Sequence, residues 1–199
     1  MVVLAEVLRV LGRLQGEEVI AFSRTWAMAS PNTFSIKPIQ ELLSRWLSGR
    51  KLIVDPFARE AKLAHLTNDL NPNTSAKYHL DSEEFLLKVE RNCKKPDVVL
   101  FDPPYSPRQV KECYEGFGRK MTHYDTTRTA RWSREKEIVN RILTPDGIVI
   151  SFGWHTCAMG KKHGFEPVEI LIVGHGAAHN DTLVTVERRV NAGQDVEGS

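Results

Sequence analysis

An acid, two prolines and a tyrosine stand in a row near the middle of the chain, as Asp102-Pro103-Pro104-Tyr105. They follow residues 98–101, Val-Val-Leu-Phe, a run with the length and β-branched content of a strand buried on both faces. Two prolines cannot extend that strand, because each lacks an amide N–H and fixes φ. The turn therefore places a carboxylate, free carbonyl oxygens and an aromatic ring where open α/β sheets bind their ligands.

These groups suit methyl transfer to an exocyclic base amine, which is a poor nucleophile because its lone pair is delocalised into the ring. Asp102 and the Pro103 carbonyl can each accept one amine N–H, which localises that lone pair. Pro103 and Pro104 stiffen the turn, and Tyr105 offers a flat face to a base taken out of its stack. The tetrad resembles the catalytic Asp-Pro-Pro-Tyr motif of amino-group methyltransferases that act on adenine.

A second segment, residues 32–38, is similar to the Pro-Thr-x-Lys-Pro segment of adenine and cytosine-N4 DNA methyltransferases. Lys37 and Pro38 match it, Ser35 stands for the threonine, and Phe34 replaces the first proline. In that family the segment covers the cofactor S-adenosyl-L-methionine. The resemblance therefore implies that this segment binds the cofactor, with Ser35 and Lys37 using hydroxyl and backbone contacts.

The third segment, Asp55-Pro56-Phe57, resembles the first half of the family's Asp-Pro-Phe-x-Gly-x-Gly cofactor loop. This implies that Asp55 holds the methionine moiety and that Phe57 forms a wall of the pocket. Arg59 and Ala61 stand where the two glycines would be, which departs from the pattern at the point of closest backbone approach.

Acids after the next two predicted strands complete the expected cofactor site, to which Asp102 also belongs. Asp69, with Asn71 as a helper, lies where Rossmann-like folds bind both ribose hydroxyls of a nucleoside cofactor. A plain Asx-turn is the alternative there. The resemblance places Asp81 and Ser82 near the cofactor adenine, with Phe85 beside that ring.

The segment from residue 108 to residue 141 is the candidate nucleic-acid face. It holds nine basic and five acidic residues, a net +4 that exceeds the +2 of the whole chain. Aromatic residues interleave with the basic ones, which suits phosphate contacts combined with base stacking; a solvated mobile loop is the alternative. The candidate substrate contacts are Arg108, Arg119, Lys120, Tyr124, Arg128, Arg131 and Trp132.

Strands that alternate with helices predict a Rossmann-like α/β fold with helices on both faces of a mostly parallel, seven-stranded sheet. The last two strands have only a loop between them, so they should form an antiparallel C-terminal hairpin. The predicted strands are residues 51–54, 63–67, 77–80, 97–101, 148–152, 168–173 and 182–188. Residues 1–30 are predicted to be a helical extension packed on the core, residues 31–190 the methyltransferase domain and residues 191–199 a flexible tail.

The amino-acid composition is that of a single globular domain and does not by itself indicate a function. A chain of 199 residues with 41% hydrophobic content supports one globular core. Three widely spaced cysteines form no CxxC pair, and glycines surround His175, so neither a disulfide framework nor a metal site is expected. The absence of a long apolar run or a signal-peptide pattern predicts a cytoplasmic protein with no membrane partner.

The resemblance, over residues 30–188, is to small adenine-N6 DNA methyltransferases often encoded by phages and prophages. It implies an S-adenosyl-L-methionine-dependent enzyme that methylates a flipped adenine in DNA, as a monomer or homodimer. Two alternatives stay open: methylation of RNA at adenine N6 or guanine N2, and a non-catalytic nucleic-acid-binding subunit, which the missing glycines would suit.

Overall fold

The computed structural model of the chain describes residues 19–92, 94–120, 122, 125, 132–154, 158–176 and 179–190. Seven strands form the sheet in this part of the chain: β1 (Ala21–Trp26), β2 (Ile53–Asp55), β3 (Leu66–Thr67), β4 (Val98–Phe101), β5 (Ile148–Gly153), β6 (Phe165–Gly174) and β7 (Thr182–Arg189). Its helices are α1 (Lys37–Leu47), α2 (Ser82–Arg91), α3 (Pro107–Glu115) and α4 (Ser133–Ile142), with 3-10 turns at Thr33–Ser35 and Lys161–His163.

The sheet has the order β1-β6-β7-β5-β4-β2-β3. β7 runs antiparallel to both of its neighbours, β5 and β6, whereas the other pairs are parallel. The predicted Rossmann-like architecture with a C-terminal antiparallel hairpin is confirmed. The carboxyl ends of β2, β3, β4 and β5 consequently open on one edge of the sheet.

Three strands differ from the sequence prediction, one of them β3, which is shorter than the predicted 63–67. β1 pairs along its whole length with β6, so the part of the predicted helical extension from Ala21 to Trp26 is a strand instead. The strand predicted at residues 77–80 is reduced to a single bridge between Asn68 and Tyr78. The remaining domain boundaries stay predictions, since residues 1–18 and 191–199 lie outside the described part.

Apolar side chains of β4 alternate between two hydrophobic clusters, one on each face of the sheet. Val98 and Leu100 pack into the cluster that contains the buried face of α1, and Val99 and Phe101 pack into the cluster of α2 and α4. All four side chains are at most 3% exposed. Burial of side chains of this size contributes about 1.5–3 kcal/mol each, so the strand that leads into the tetrad is firmly held.

Polar contacts also fix α1 against the sheet. The buried carboxylate of Glu169 on β6 accepts hydrogen bonds from Arg45 at 2.7 and 3.2 Å and from the Trp46 indole N–H at 2.8 Å. A bidentate, charge-assisted pair of this kind is stronger than a neutral hydrogen bond. This contact fixes the position of α1, whose first two residues, Lys37 and Pro38, are the last two of the segment 32–38.

None of the helices in the described part of the chain is long and apolar enough to cross a membrane.

Candidate active site

A cavity of about 750 Å³ opens at the carboxyl ends of the central strands. Its walls come from residues 29–36, the loops after β2 and β3, the start of α2, the tetrad, α3, and residues that follow β5 and β6. Its size lies within the range of small-molecule and cofactor sites. The chain therefore forms a ligand pocket at the place that the tetrad predicted.

Backbone and side-chain hydrogen bonds fix the tetrad at the rim of this cavity. Ser106 caps α3 by accepting the Gln109 N–H at 3.2 Å, and Gln109 in turn accepts the Tyr105 N–H at 2.6 Å. The Tyr105 hydroxyl donates to Asp102, which is also hydrogen-bonded to the Thr33 side chain. Because an ionised carboxylate has about four acceptor positions, these two contacts orient Asp102 and leave positions for a ligand N–H.

The pKa values of Asp102 and Tyr105 are governed mainly by burial. Burial raises the pKa of Asp102 to about 6, against hydrogen bonds from Tyr105 and Thr33 and the charge of Arg59, which lower it. Burial and the nearby charge of Asp102 raise the pKa of Tyr105. At neutral pH Tyr105 is therefore a protonated donor, and Asp102 is mostly an anionic acceptor.

Trp154 is a wall of the site that the sequence prediction missed. It follows β5, lines the cavity and meets the Tyr105 ring at a centroid distance of 5.5 Å and an angle of 66°. The indole remains 38% exposed, so a flat ligand can reach it. Its position directly after the predicted strand 148–152 was the available signal, since strand ends on this edge face the ligand.

Thr33, also missed, is the cavity-lining hydroxyl of the segment 32–38. Ser35, which had been predicted for this role, is exposed; its hydroxyl donates to the Asn32 carbonyl at 2.8 Å and lies 2.8 Å from the Ser30 hydroxyl. The residue type of Thr33 was the available signal, since the family segment also has a threonine. The comparison had instead matched Ser35, two residues further along, to that threonine.

The other predicted residues of this segment lie around the cavity without lining it. Phe34 is buried and packs on Phe152 at a ring distance of 5.0 Å. Lys37 and Pro38 form the first turn of α1, where proline needs no amide N–H. Their cofactor roles stay predictions.

The loop after β2 begins with a buried acid. The Asp55 side chain is 1% exposed, its Oδ1 accepts the Phe57 N–H at 2.9 Å, and burial raises its pKa well above the ordinary value. Its Oδ2 has no hydrogen-bond partner among the described residues. Pro56 and Phe57 line the cavity above it, and Phe57 packs edge-on against Phe101 at 5.3 Å.

Arg59 stands where the motif that the sequence resembles has its first glycine, and it adopts a left-handed conformation with φ of 49°. This conformation favours glycine, so a glycine at this position would adopt the same turn. The Arg59 N–H donates to Asp69 Oδ2 at 3.0 Å, and its Nη1 donates to the Pro31 carbonyl at 2.7 Å. The residue thus joins this loop to the segment that precedes α1.

Asp69 and Asn71 line the cavity beside that loop. Asp69 Oδ1 accepts the Asn71 N–H at 2.8 Å, so the Asx-turn weighed as an alternative is present. Burial raises the pKa of Asp69, against the two backbone hydrogen bonds that lower it. The turn holds the carboxylate at the cavity wall, where its remaining acceptor positions suit two hydroxyl groups.

The neighbouring Asn68 is a structural link that the sequence prediction did not single out. Its buried side chain donates to the carbonyls of Pro56 at 3.1 Å and Leu80 at 3.0 Å and accepts the Leu80 N–H at 3.0 Å. The amide therefore joins the loop after β2 to the turn before α2. It does so at the floor of the cavity.

Asp81 and Ser82 reach the cavity at the start of α2, whereas Phe85 lies behind it. Asp81 caps the helix by accepting the Glu83 N–H at 3.0 Å, and the Ser82 hydroxyl donates to Glu135 at 2.9 Å. Phe85 has no exposed surface and packs on Tyr78 at 5.5 Å. The structure therefore brings two of these three predicted cofactor residues to the pocket.

The predicted substrate residues are spread more widely. Trp132 lines the cavity and packs edge-on against Phe57 at 5.1 Å. Arg108 pairs with Glu112 at 2.8 Å, and Arg119 lies 3.5 Å from the Asp125 carboxylate. Lys120 is exposed. Three further predicted contacts lie outside the described residues: Tyr124, Arg128 and Arg131.

His175 is buried in the cavity wall and has both ring nitrogens occupied. Its Nδ1 lies 2.8 Å from the Ala27 carbonyl, to which it donates, and its Nε2 lies 2.8 Å from the Thr182 hydroxyl. These two hydrogen bonds join the segment after β1 to β7. Across the described ranges, no group of three or more metal-ligating side chains comes together.

No known family model matches the sequence, and no curated protein matches it. Among solved structures, the chain is similar to an S-adenosylmethionine-dependent methyltransferase from Agrobacterium tumefaciens, with 13% identity, a TM-score of 0.48 and coverage of 76% of this chain and 60% of that one. TrmN from Thermus thermophilus is similar with 15% identity, a TM-score of 0.49 and coverage of 78% of this chain and 49% of that one. A putative methyltransferase from Streptococcus mutans is similar with 14% identity, a TM-score of 0.48 and coverage of 74% of this chain and 46% of that one.

The chain thus spans about half to three fifths of the length of these structures. At this level of identity and TM-score, the inference of function depends on the residues of the site.

Those residues fit a nucleoside that carries positive charge. Acceptor groups of Asp69 and Asn71 lie along one wall, and Phe57, Leu80 and Trp132 supply apolar surface. The carboxylate of Asp102 lies at the same cavity. Groups that accept hydrogen bonds from hydroxyls suit the ribose of S-adenosyl-L-methionine, the flat apolar walls suit its adenine, and the nearby carboxylate suits its sulfonium.

Proposed function

We propose that this protein transfers a methyl group from S-adenosyl-L-methionine to the N6 amino group of adenine in DNA. The observation that carries the proposal is the fixed arrangement of Asp102 and Tyr105 at the rim of a nucleoside-sized cavity. The acid, the stiff turn and the aromatic ring are the groups that activation of an exocyclic amine needs. They converge on a site with the size and polarity of the cofactor.

The cofactor would lie along the wall formed by the loops after β2 and β3. Asp69 and Asn71 would accept the ribose hydroxyls, Asp81 and Ser82 would lie near the adenine, and Phe57 would pack against the ligand. When bound, S-adenosyl-L-methionine supplies an electrophilic methyl group on a sulfonium.

The tetrad would prepare the nucleophile. Asp102 and the Pro103 carbonyl each accept one N–H of the amine, so that its lone pair points away from the ring plane. Tyr105 and Thr33 hold the Asp102 carboxylate in orientation, while Tyr105 and Trp154 offer aromatic surface to the base. Catalysis is then positioning and electrostatics without a covalent enzyme intermediate.

One feature supports a polynucleotide substrate: the segment 108–141 carries a net charge of +4. An adenine in a duplex must leave its stack to reach the tetrad, which costs a few kcal/mol. RNA methylation is the alternative within the same chemistry. The non-catalytic alternative was suggested by the two missing glycines, and the left-handed backbone of Arg59 suits a glycine-type turn at the first of those two positions.

Methyl transfer from tritium-labelled cofactor to duplex DNA, single-stranded DNA and RNA tests the proposal. We expect incorporation into DNA, with N6-methyladenine as the product after nuclease digestion and chromatography. Asp102→Ala should abolish incorporation while cofactor affinity stays within about threefold, because the lost group acts on the amine. Incorporation into RNA alone would replace the DNA substrate, and equal loss of cofactor binding in Asp102→Ala would refute the assigned role.

A further inference from the structure

Arg59 is the only lysine or arginine that lines the cavity within the described residues. The carboxylates that line it there are Asp69, Asp81, Asp102 and Glu112. A cavity with this balance attracts positively charged groups over much of its wall. Among the described lining residues, an anionic group of a ligand finds one permanent positive charge, that of Arg59, which stands at a glycine position of the motif that the sequence resembles.

The Arg59 guanidinium is held at the cavity and retains unused donors. One nitrogen, Nη1, donates to the Pro31 carbonyl at 2.7 Å, and the side chain forms no ion pair with a described residue. Arg59 lines the same cavity as Asp102 and Tyr105. Its charge lowers the pKa of both residues, against the larger effect of burial, which raises it. A guanidinium has five N–H donors in a planar fork that matches a carboxylate.

We propose that Arg59 binds the α-carboxylate of the amino-acid part of S-adenosyl-L-methionine and so provides the anchor for that end of the cofactor. This inference rests on the proposed function. The cofactor carries two positive groups, the sulfonium and the ammonium, and one negative group, the carboxylate. The acidic cavity suits the first two, and Arg59 is the described lining residue that suits the third.

Because the backbone at Arg59 is left-handed, its side chain can be replaced without disturbing the turn. Glycine adopts φ of 49° without strain and asparagine tolerates it, so Arg59→Gly and Arg59→Asn remove the charge while they keep the turn. Lys62→Ala is the matched control, because this exposed cation lies three residues further along and does not line the cavity. Thermal unfolding of all three variants checks that the fold is intact.

Isothermal titration should use two ligands, S-adenosylhomocysteine and its decarboxylated analogue, which lacks only the α-carboxylate. We expect Arg59→Gly and Arg59→Asn to weaken S-adenosylhomocysteine binding about tenfold, the effect of one charge-assisted pair. Binding of the decarboxylated analogue should stay within about twofold of the unmodified protein. Lys62→Ala should bind both ligands normally.

Other binding results would overturn the assignment of Arg59 to the carboxylate. Unchanged S-adenosylhomocysteine binding in Arg59→Gly overturns the inference, and equal loss for both ligands overturns it too, because Arg59 would then act through its bond to Pro31. Loss of duplex-DNA binding with normal cofactor affinity would assign the guanidinium to the substrate instead. If the unmodified protein binds neither ligand, the proposed function itself fails.

Discussion

At the scale of single residues, Asp102 links the electrostatics of the site to a measurable pH dependence. Burial raises its pKa to about 6, and the ionised carboxylate is a much stronger acceptor for the amine N–H than the protonated acid. The single-turnover methylation rate should therefore rise between pH 5 and pH 7 and level off above. A rate that is flat across this interval, under conditions where the protein stays folded, would show that ionisation of Asp102 is not required.

Thr33 offers a second test of the same carboxylate. Its hydrogen bond lowers the pKa of Asp102, so Thr33→Val, which keeps the shape but removes the hydroxyl, should move the acidic limb of the rate profile to higher pH. The loss of rate should be several-fold near pH 6 and small near pH 9. Ser35→Ala is the matched control, since that hydroxyl lies in the same turn but does not line the cavity. Identical profiles for both variants would contradict the role of Thr33.

At the scale of secondary-structure elements, Asn68 joins the loop after β2 to the turn before α2, and both line the cavity. Asn68→Ala removes three hydrogen bonds from a side chain that is 1% exposed and leaves the Leu80 N–H and two carbonyls without this partner. We expect the free energy of unfolding in urea to fall by about 2–4 kcal/mol. Asn73→Ala, at an exposed asparagine nearby, should change it by less than about 0.5 kcal/mol. A similar small change in Asn68→Ala would show that the two loops are held by other contacts.

How far the sequence predicts these elements depends on how local their signals are. The central strands and the tetrad are readable because apolar runs and prolines act on their own neighbours. β1 was missed because it is an edge strand, held by pairing with β6 across more than 140 residues. The segment 77–80 was overestimated as a strand, because its alternation of polar and larger side chains fits a strand but only one bridge forms, at Tyr78.

Side-chain roles in the site show the same limit. Burial of Phe34 and Phe85 in the core depends on how helices pack on the sheet, which local patterns do not encode. The left-handed turn at Arg59 was hidden because the residue type argues against it. Thr33 was two residues from the position that the motif comparison favoured, and its place at the cavity beside Asp102 depends on the approach of two segments that are distant in sequence.

At the scale of the whole molecule, positive charge is less available than the sequence count indicates. The segment 108–141 carries a net +4, yet the arginines that the structure describes there pair with acids. Two of these partners lie outside the segment: Arg134 pairs with Glu83 and Arg141 with Glu90. Exposed pairs of this kind add little stability, but they reduce the field that a phosphate backbone meets. Within the described part of that segment, Lys120 has neither a hydrogen bond nor an ion pair.

This charge pattern predicts a shallow salt dependence of DNA binding. The slope of log affinity against log salt changes by about 0.9 for each phosphate contact, and we expect a slope no steeper than about −4 for a chain with a net charge of +2. Lys120→Ala should make it shallower by about 0.9 if that residue contacts one phosphate. Lys95→Ala is the control, because this exposed cation lies before β4, at the end of the sheet opposite the cavity. Fluorescence anisotropy with a duplex between 50 and 300 mM salt measures all three slopes, and an equal effect of the two substitutions would place the DNA elsewhere on the surface.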